Sequence, residues 1–421
     1  MEYSPYSSEE VRAAVEDADQ NPFLDFYKRA FLSDLTDLNP DLVGISVAFP
    51  QQLIPSFTLA RLIKEQFPHV HICMGGAHLS KLGPSVRQNE MFHSLLLPLV
   101  DSVILGEGEQ ALVRLIRALD SGDELSSVPN LVFRRKRGLV MTGPAAAVDM
   151  ATLPAPDYRG MPMAAYLNSG SFPAVPLQVT RGCYWGKCAF CDSVLLLGPY
   201  RVRPMERVLA DIQEMEERHD IHHIHFSDEA VPPNVMLRLA IAVAERRLPT
   251  RWGGYARFER TFTPEFCERI AKGGCSVLFM GLEAAASRVS RLMNKGVDPS
   301  LAHRILRSLK EAGVQVHLCT VIGFPGETGG EARETFDFLM ENRDLYESYC
   351  CMPFVLEKNS TVARHPERFG ITRIMDDLHD DLRPHYWYEV ASGLSMEEAG
   401  SLYREFNERL AAMGAYNPIY V

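Results

Sequence analysis

The sequence predicts an α/β protein: a parallel sheet with covered faces, then a partial (β/α)6 barrel, then a helical tail. Three observations predict it. Apolar strand-like runs alternate with amphipathic helical runs from the start of the chain. The alternation pauses at a proline-rich stretch, "LPAPDYRGMP" (153–162), and then resumes for six longer β/α units. Chemically unusual residues recur at the ends of those later strands, where barrel enzymes carry their chemistry. The expected organisation is an α/β domain over 1–148, a linker over 149–170, the partial barrel over 171–355 and a helical extension over 356–421.

In order along the chain, Ser7 and Glu10 have the spacing of a capping box that opens a short helix. Asn21-Pro22 suits the N-cap and first-turn proline of a helix over 22–36. "DLVGISVAF" (41–49), "VHICMGG" (70–76) and "DSVILGEGE" (101–109) read as strands, with helices over 53–66 and 109–120. Sheets of this kind bind ligands beyond the carboxyl ends of their strands, so Ser46, Gly75, Gly76, Gly106 and Glu107 are candidates. "PNLVFRRKRGLVMTG" (129–143) reads as a hairpin turning near Arg137-Gly138. Strands are then expected near 176–180, 222–227, 250–255, 276–281, 314–322 and 349–355. Helices are expected over 204–218, 264–272, 299–312 and 331–342, with an amphipathic tail helix near 395–412. Cys183 follows the first barrel strand, Asp228 and Glu229 the second, Tyr255 and Arg257 the third, Glu283 the fourth and "GFPGE" (323–327) the fifth.

Composition narrows the class. With 46% hydrophobic and 23% charged residues the chain is of soluble globular type. A net charge of −11 argues against a nucleic-acid-binding surface. No apolar run approaches the ~18 residues that would span a membrane. The opening "MEYSPYSSEEV" lacks the basic-then-apolar layout of a secretion signal, so a cytoplasmic location is expected.

Of nine cysteines, three crowd into "TRGCYWGKCAFCDS" (180–193): Cys183, Cys188 and Cys191. The other six read as small buried hydrophobes, with Cys350 and Cys351 on opposite strand faces. Structural zinc takes four ligands, usually as two close pairs, and no second pair stands nearby. His222, His223 and His225 in "IHHIHF" alternate as strand residues do. A cubane iron–sulfur cluster takes one thiolate per iron, and three thiolates leave one iron open to an outside molecule. Tyr255 and Arg257 share one face of "RWGGYARFE" by alternation and are the candidate catalytic residues. Arg257 suits a carboxylate or an ordinary ion pair with Glu259 or Asp228.

"RGCYWGKCAFC" resembles the cluster loop of radical S-adenosylmethionine (SAM) enzymes, with four then two intervening residues where most members have three then two. The resemblance covers residues 150–355. It implies that Cys183, Cys188 and Cys191 bind a 4Fe–4S cluster and that Phe190 packs near the adenine of SAM. It also implies contacts from Ser227, Asp228 and Glu229 to the methionine amino group, from Glu283 to the ribose, and from Ile322, Gly323, Pro325 and Gly326 to the adenine. Each has a plainer reading: a turn for the glycines, a helix-terminal acid for Glu283, a loop cap for Asp228-Glu229.

The preceding sheet resembles the cobalamin-binding domain of one branch of these enzymes, as a truncated Rossmann-like sheet. Ser46, Gly75-Gly76 and Gly106-Glu107-Gly108 fall where that domain's motifs would be. The chain starts after the domain's usual first strand–helix–strand and has no Asp-x-His-x-x-Gly cobalt-ligand motif. Three readings stay open: a corrin bound without a protein histidine, a start assigned too far downstream, or a domain that now positions substrate. The tract "YSPYSSEEV…NPFLDFY", the Trp-containing cysteine loop and "WGGYARFER" look most like those of enzymes that mature ribosomally made peptides. The resemblance implies an enzyme that cleaves SAM reductively to modify an unactivated carbon of a peptide or small molecule, by cobalamin-dependent methylation. A flavodoxin or ferredoxin would be the electron donor. The alternatives are a cobalamin-independent oxidation, epimerisation or crosslink, and a non-catalytic metal-bound scaffold that holds a peptide.

Overall fold

The computed structural model describes residues 2–135, 138–162, 174–376 and 379–414, and only the backbone of residues 84, 194 and 195. Arg137 of the expected turn and residues 163–170 of the expected linker lie outside them. The chain divides into two compact units, Met1–Val148 with Met375–Tyr386, and Asp149–Ile374 with Trp387–Val421. The tail expected to form one extension therefore sends a segment back to the first unit. No helix among the described residues is long and apolar enough to cross a membrane.

In the first unit, β1 (Leu42–Ser46), β2 (His71–Gly75), β3 (Ser102–Ile104), β4 (Leu131–Arg135) and β5 (Gly138–Met141) form one sheet in that order. The first three strands run parallel and the hairpin β4–β5 adds antiparallel to β3. β3 is shorter than expected because Gly106, at φ 87°, turns the chain out of the strand direction soon after it. The helix Leu53–Gln66 matches the expected span and buries Leu53, Phe57, Ala60 and Ile63 together with Val11, Val15 and Leu24 of the early helices. Those helices, Ser8–Glu16 and Pro22–Ala30, pack in that core, and β1 keeps exposed edge positions at Gly44 and Ser46. The expected helix over 22–36 breaks at Phe31 and restarts as Leu32–Leu38. Half of the capping box forms: Ser7 accepts from the Glu10 N–H, while the Glu10 carboxylate accepts from Ser4. Asp381, from the returning segment, accepts from the Ser8 N–H at 2.7 Å and the Ser8 hydroxyl at 2.6 Å. That places a carboxylate at a helix N-terminus, where unpaired N–H groups favour it.

The second unit is built on six parallel strands. They are β6 (Val175–Leu177), β9 (His223–Phe226), β10 (Arg251–Arg257), β11 (Cys275–Glu283), β12 (Gln315–Ile322) and β13 (Ser348–Pro353), neighbours in that order. Between β6 and β9, β7 (Thr180–Arg181) and β8 (Arg201–Val202) pair as a short antiparallel ribbon. All six expected strands are present. The helix Pro264–Lys272 matches its expected span, with Thr263 as N-cap accepting from the Phe266 N–H. One sheet face is core: Leu278, Met280, Val316, Leu318, Tyr349 and Cys351 pack under the surrounding helices. Alternation sends Tyr255, Phe279 and His317 to the other face, where their rings form a row with His225.

Candidate functional site

The cysteine loop is held by backbone contacts before any metal is considered. It leaves β7 through Gly182, at φ 79°, and returns through β8. Inside it, the Ala189 N–H donates to Met293 O at 2.8 Å, and Asn294 donates to Lys187 O at 2.8 Å. The Trp185 indole donates to Asn294 O and lies against Gly296, where an added Cβ would sit 2.2 Å from the ring. Asp228 is buried and accepts from the Val179 N–H and from the Thr180 N–H at the loop's entrance. Burial pushes its carboxyl up to about 6, against the pull of those amides.

Cys183, Cys188 and Cys191 are free thiols, each partly buried. Burial pushes the Cys188 thiol up to about 11, while Lys295 and Arg257 pull the other way. Cys191 is also raised by burial; its Sγ lies 3.2 Å from Ser193 Oγ, which donates to Glu229 at 2.8 Å. Three free thiols on one pinned loop with two cations acting on it fit an iron–sulfur cluster, which carries net negative charge and takes one thiolate per iron. No group of three or more His, Cys, Asp or Glu among the described residues is arranged to hold a single metal ion. A cubane needs no such common point.

Lys295 is a residue that sequence reasoning missed. Its ammonium lies 2.6 Å from Glu283 Oε1, nearly buried, and 5.9 Å from the Phe190 ring centroid. Desolvation disfavours the ammonium, but Glu283 and Cys188 outweigh it and hold its pKa above the ordinary value. Two backbone features aim Glu283 at it. The register of β11 shifts between Gly281 and Glu283, and Glu283 adopts φ 64°, a strained value for a non-glycine. Gly281 leaves the space: an added Cβ would sit 2.6 Å from Glu283 Oε1 and 2.7 Å from Lys295 Nζ. Arg257 is buried, donates to Lys295 O at 2.6 Å and stacks on the Trp185 ring at 4.4 Å. Its Nε reaches Glu259 at 3.4 Å, so the ion pair expected from sequence is made with Glu259.

The structure thus brings Cys188, Phe190, Arg257, Glu283 and Lys295 together, with Glu229 facing Cys191 through Ser193. Ser227 and Glu229 are exposed, whereas Asp228 points inward. Tyr255 is 42% exposed on the concave face, with Phe279 at 5.1 Å.

Ile322, Gly323 and Pro325 are buried. The tail covers this turn: Ala399 leaves no room for a Cβ on Gly323, and the Tyr388 hydroxyl donates to Gly323 O at 3.2 Å. Glu327, fully buried, accepts from the Gly323 N–H, and its other oxygen has no partner among the described residues. Burial raises its carboxyl from 4.5 to about 7. The folded chain therefore keeps a proton that the unfolded chain releases near pH 4.5. The associated stability is full below that pH and lost as pH rises through 7. Relative to Glu327→Gln, the native protein is expected to lose about 3 kcal/mol between pH 4.5 and 8, read as the difference between their urea-unfolding free energies. A constant difference across that range contradicts the assignment.

In the first unit, the carboxyl ends of β1 to β3 bring Ser46, Gly75, Gly76 and Gly106 to one edge. Gly76, at φ 104°, packs on the Val47 backbone, and the Ser80 hydroxyl accepts from the Gly106 N–H at 2.8 Å. The Glu107 carboxylate is engaged with the Val148 N–H at 2.8 Å. His78 follows the glycine pair but is 4% exposed, with its Nε2 fully enclosed. These residues fit a flat ligand laid against backbone, without a histidine reaching toward it.

Residues 177–339 match the Radical SAM superfamily and residues 7–116 the B12 binding domain. An uncharacterised methyltransferase of Pyrococcus horikoshii is 28% identical over 71% of this chain and 64% of its own length. The anaerobic magnesium-protoporphyrin IX monomethyl ester cyclase of Rubrivivax gelatinosus is 25% identical over 76% of this chain and 58% of its own. The chain thus spans less than two thirds of the length of these relatives. Among solved structures, the cobalamin-dependent SAM radical enzyme OxsB superposes with a TM-score of 0.70 at 18% identity, over 90% of this chain and 59% of that one. The radical SAM methyltransferase TsrM of Kitasatospora setae gives 0.63 at 18%, over 86% and 72%. At such identity the likeness is one of fold.

Proposed function

We propose a function for this chain from one premise: it belongs to the radical SAM superfamily and carries a B12 binding domain ahead of the barrel. The function is that of a cobalamin-dependent methyltransferase acting on an unactivated carbon of a peptide or small natural product. The observation that carries it is the pinned loop of three free thiols beside the buried Lys295–Glu283 pair. Cys183, Cys188 and Cys191 would hold a 4Fe–4S cluster, and the edge at Gly75, Gly76 and Gly106 a corrin. Bound there, the cluster would supply one-electron reduction of SAM and the corrin a transferable methyl group.

The protein's own part is to bind and orient. Arg257 and Lys295 present positive charge where the SAM carboxylate would lie, and Glu229 presents negative charge toward its amino group. Phe190 offers an apolar seat for the adenine and Glu283 an acceptor for the ribose, while the Gly323 N–H and C=O, already engaged by Glu327 and Tyr388, hold the turn from Ile322 through Pro325 to Gly326 in shape. Asp228 acts one step back, by holding the loop's entrance. The row of Tyr255, Phe279 and His317 forms a ring-lined wall suited to an apolar part of the substrate. A flavodoxin or ferredoxin of the cytoplasm would supply electrons.

The Pyrococcus horikoshii relative bears a methyltransferase name, and the Rubrivivax gelatinosus one is named a cyclase. The second reading, a radical reaction without methyl transfer, therefore stays beside the first. Anaerobic protein reconstituted with iron, sulfide and hydroxocobalamin is expected to show a cubane signal on reduction and to release both S-adenosylhomocysteine and 5′-deoxyadenosine with substrate. Deoxyadenosine alone favours the second reading. Full iron–sulfide content after replacing all three cysteines by alanine sinks both.

A further inference from the structure

Cys319 and Cys350 have no part in the function proposed above. They are register partners on the adjacent parallel strands β12 and β13. Two residues earlier on each strand stand His317 and Ser348, also partners, whose side chains meet at 2.7 Å. Alternation therefore puts Cys319 and Cys350 on that same face, side by side. It is the concave face, since the His317 ring lies 4.9 Å from Phe279, itself 5.1 Å from Tyr255. Neighbouring strands lie about 4.7–4.9 Å apart, within the roughly 4.4–6.8 Å Cα separation a disulfide spans. Cys351 provides the contrast: it is fully buried on the core face.

The pair also sits beside the machinery already described. Glu283 and Lys295 act electrostatically on Cys319, and Glu283 on Cys350. Both thiols act on Tyr255. Burial pushes Cys350 up to about 11 and raises Cys319 as well, so both stay protonated at neutral pH.

We propose that Cys319 and Cys350 form a hydrogen-donating dithiol that quenches carbon radicals generated in the barrel and not consumed by methyl transfer. In the step, an S–H bond breaks and a C–H bond forms, because the S–H bond is the weaker of the two. The carbon gains one hydrogen atom and the sulfur becomes a thiyl radical. The second thiol gives up its proton to solvent and shares the unpaired electron across the two sulfurs. One electron from the low-potential donor that serves the enzyme, with two protons, restores both thiols. This inference rests on the proposed formation of a deoxyadenosyl radical beside the cysteine loop.

The test uses the cluster-reconstituted full chain with SAM and dithionite in deuterated water, without substrate. The deoxyadenosyl radical then takes its hydrogen from the exchanged thiols, and 5′-deoxyadenosine carrying one deuterium is expected. Cys319→Ala/Cys350→Ala should lower the deuterated fraction several-fold at unchanged iron content, and the two single Cys→Ser variants should lower it less. Independently, diamide treatment without SAM should give a peptide linking Cys319 to Cys350, retained in Cys351→Ala and lost in Cys350→Ala. Deuteration unchanged in the double variant, or no such link, overturns the inference alone. Absence of deoxyadenosine from the native protein overturns the proposed function and this inference together.

Discussion

Lys295→Met is expected to cost about 3–5 kcal/mol of stability and to abolish reductive SAM cleavage. The size follows from burial. Lys295 is 8% exposed and its partner carboxylate on Glu283 lies 2.6 Å away, 12% exposed. Losing the ammonium strands an ionised carboxylate with little water to solvate it, which costs more than the pair contributes when intact. Glu283 also holds a strained backbone conformation, and the ion pair is what occupies the space over Gly281. The double variant Lys295→Met/Glu283→Gln should therefore recover most of the lost stability while SAM cleavage stays absent. Urea unfolding of the three proteins measures the first part; anaerobic assay of deoxyadenosine measures the second. If Lys295→Met unfolds like the native protein, the pair is solvated and its assigned role fails.

That residue also marks where sequence reading stopped. Elements were legible wherever the signal was local. The helix expected over 264–272 is present as Pro264–Lys272, and the strand expected near 314–322 as Gln315–Ile322. The three thiols were legible because their spacing on one loop carries its own chemistry. Signals that depend on distant partners were not. Lys295 sits in "LMNKGV", which carries no pattern, and it meets Glu283 only because β11 bulges at Gly281. Asp228 reads as a ligand contact until the amides of Val179 and Thr180 are seen to occupy it. Asp381 serves Ser8 across 373 positions of chain, a distance at which no periodicity speaks. The Cys350–Cys351 pair was correctly split between two faces by alternation, but its partner Cys319 needed the β12–β13 register.

The contrast between two adjacent glycines of the first unit gives the other large effect. Gly76→Ala is expected to destabilise the first unit by about 3 kcal/mol or more, combining left-handed strain with overpacking. Gly76 has φ 104°, and an added Cβ would lie 2.6 Å from Val47 O, 2.7 Å from Val47 N and 2.9 Å from Val47 C. All three are backbone atoms, so no side chain can swing away. The same Val47 accepts from the His78 N–H at 3.0 Å and donates to Gly75 O at 2.8 Å, so relief would break the join between the ends of β1 and β2. Gly75→Ala is expected to cost far less: its Cβ would meet Ile104 O at 3.4 Å and Ile104 Cβ at 3.8 Å, near ordinary contact. Hydrogen exchange of the full chain should show protection lost over β1 and β2 in Gly76→Ala and kept in Gly75→Ala. Iron loading of the second unit should be unchanged in both, and the absorbance shift on adding hydroxocobalamin should vanish only in Gly76→Ala. Equal behaviour of the two variants would mean that the edge at Val47 and Gly76 is not the rigid platform described, and the corrin would have to be placed elsewhere.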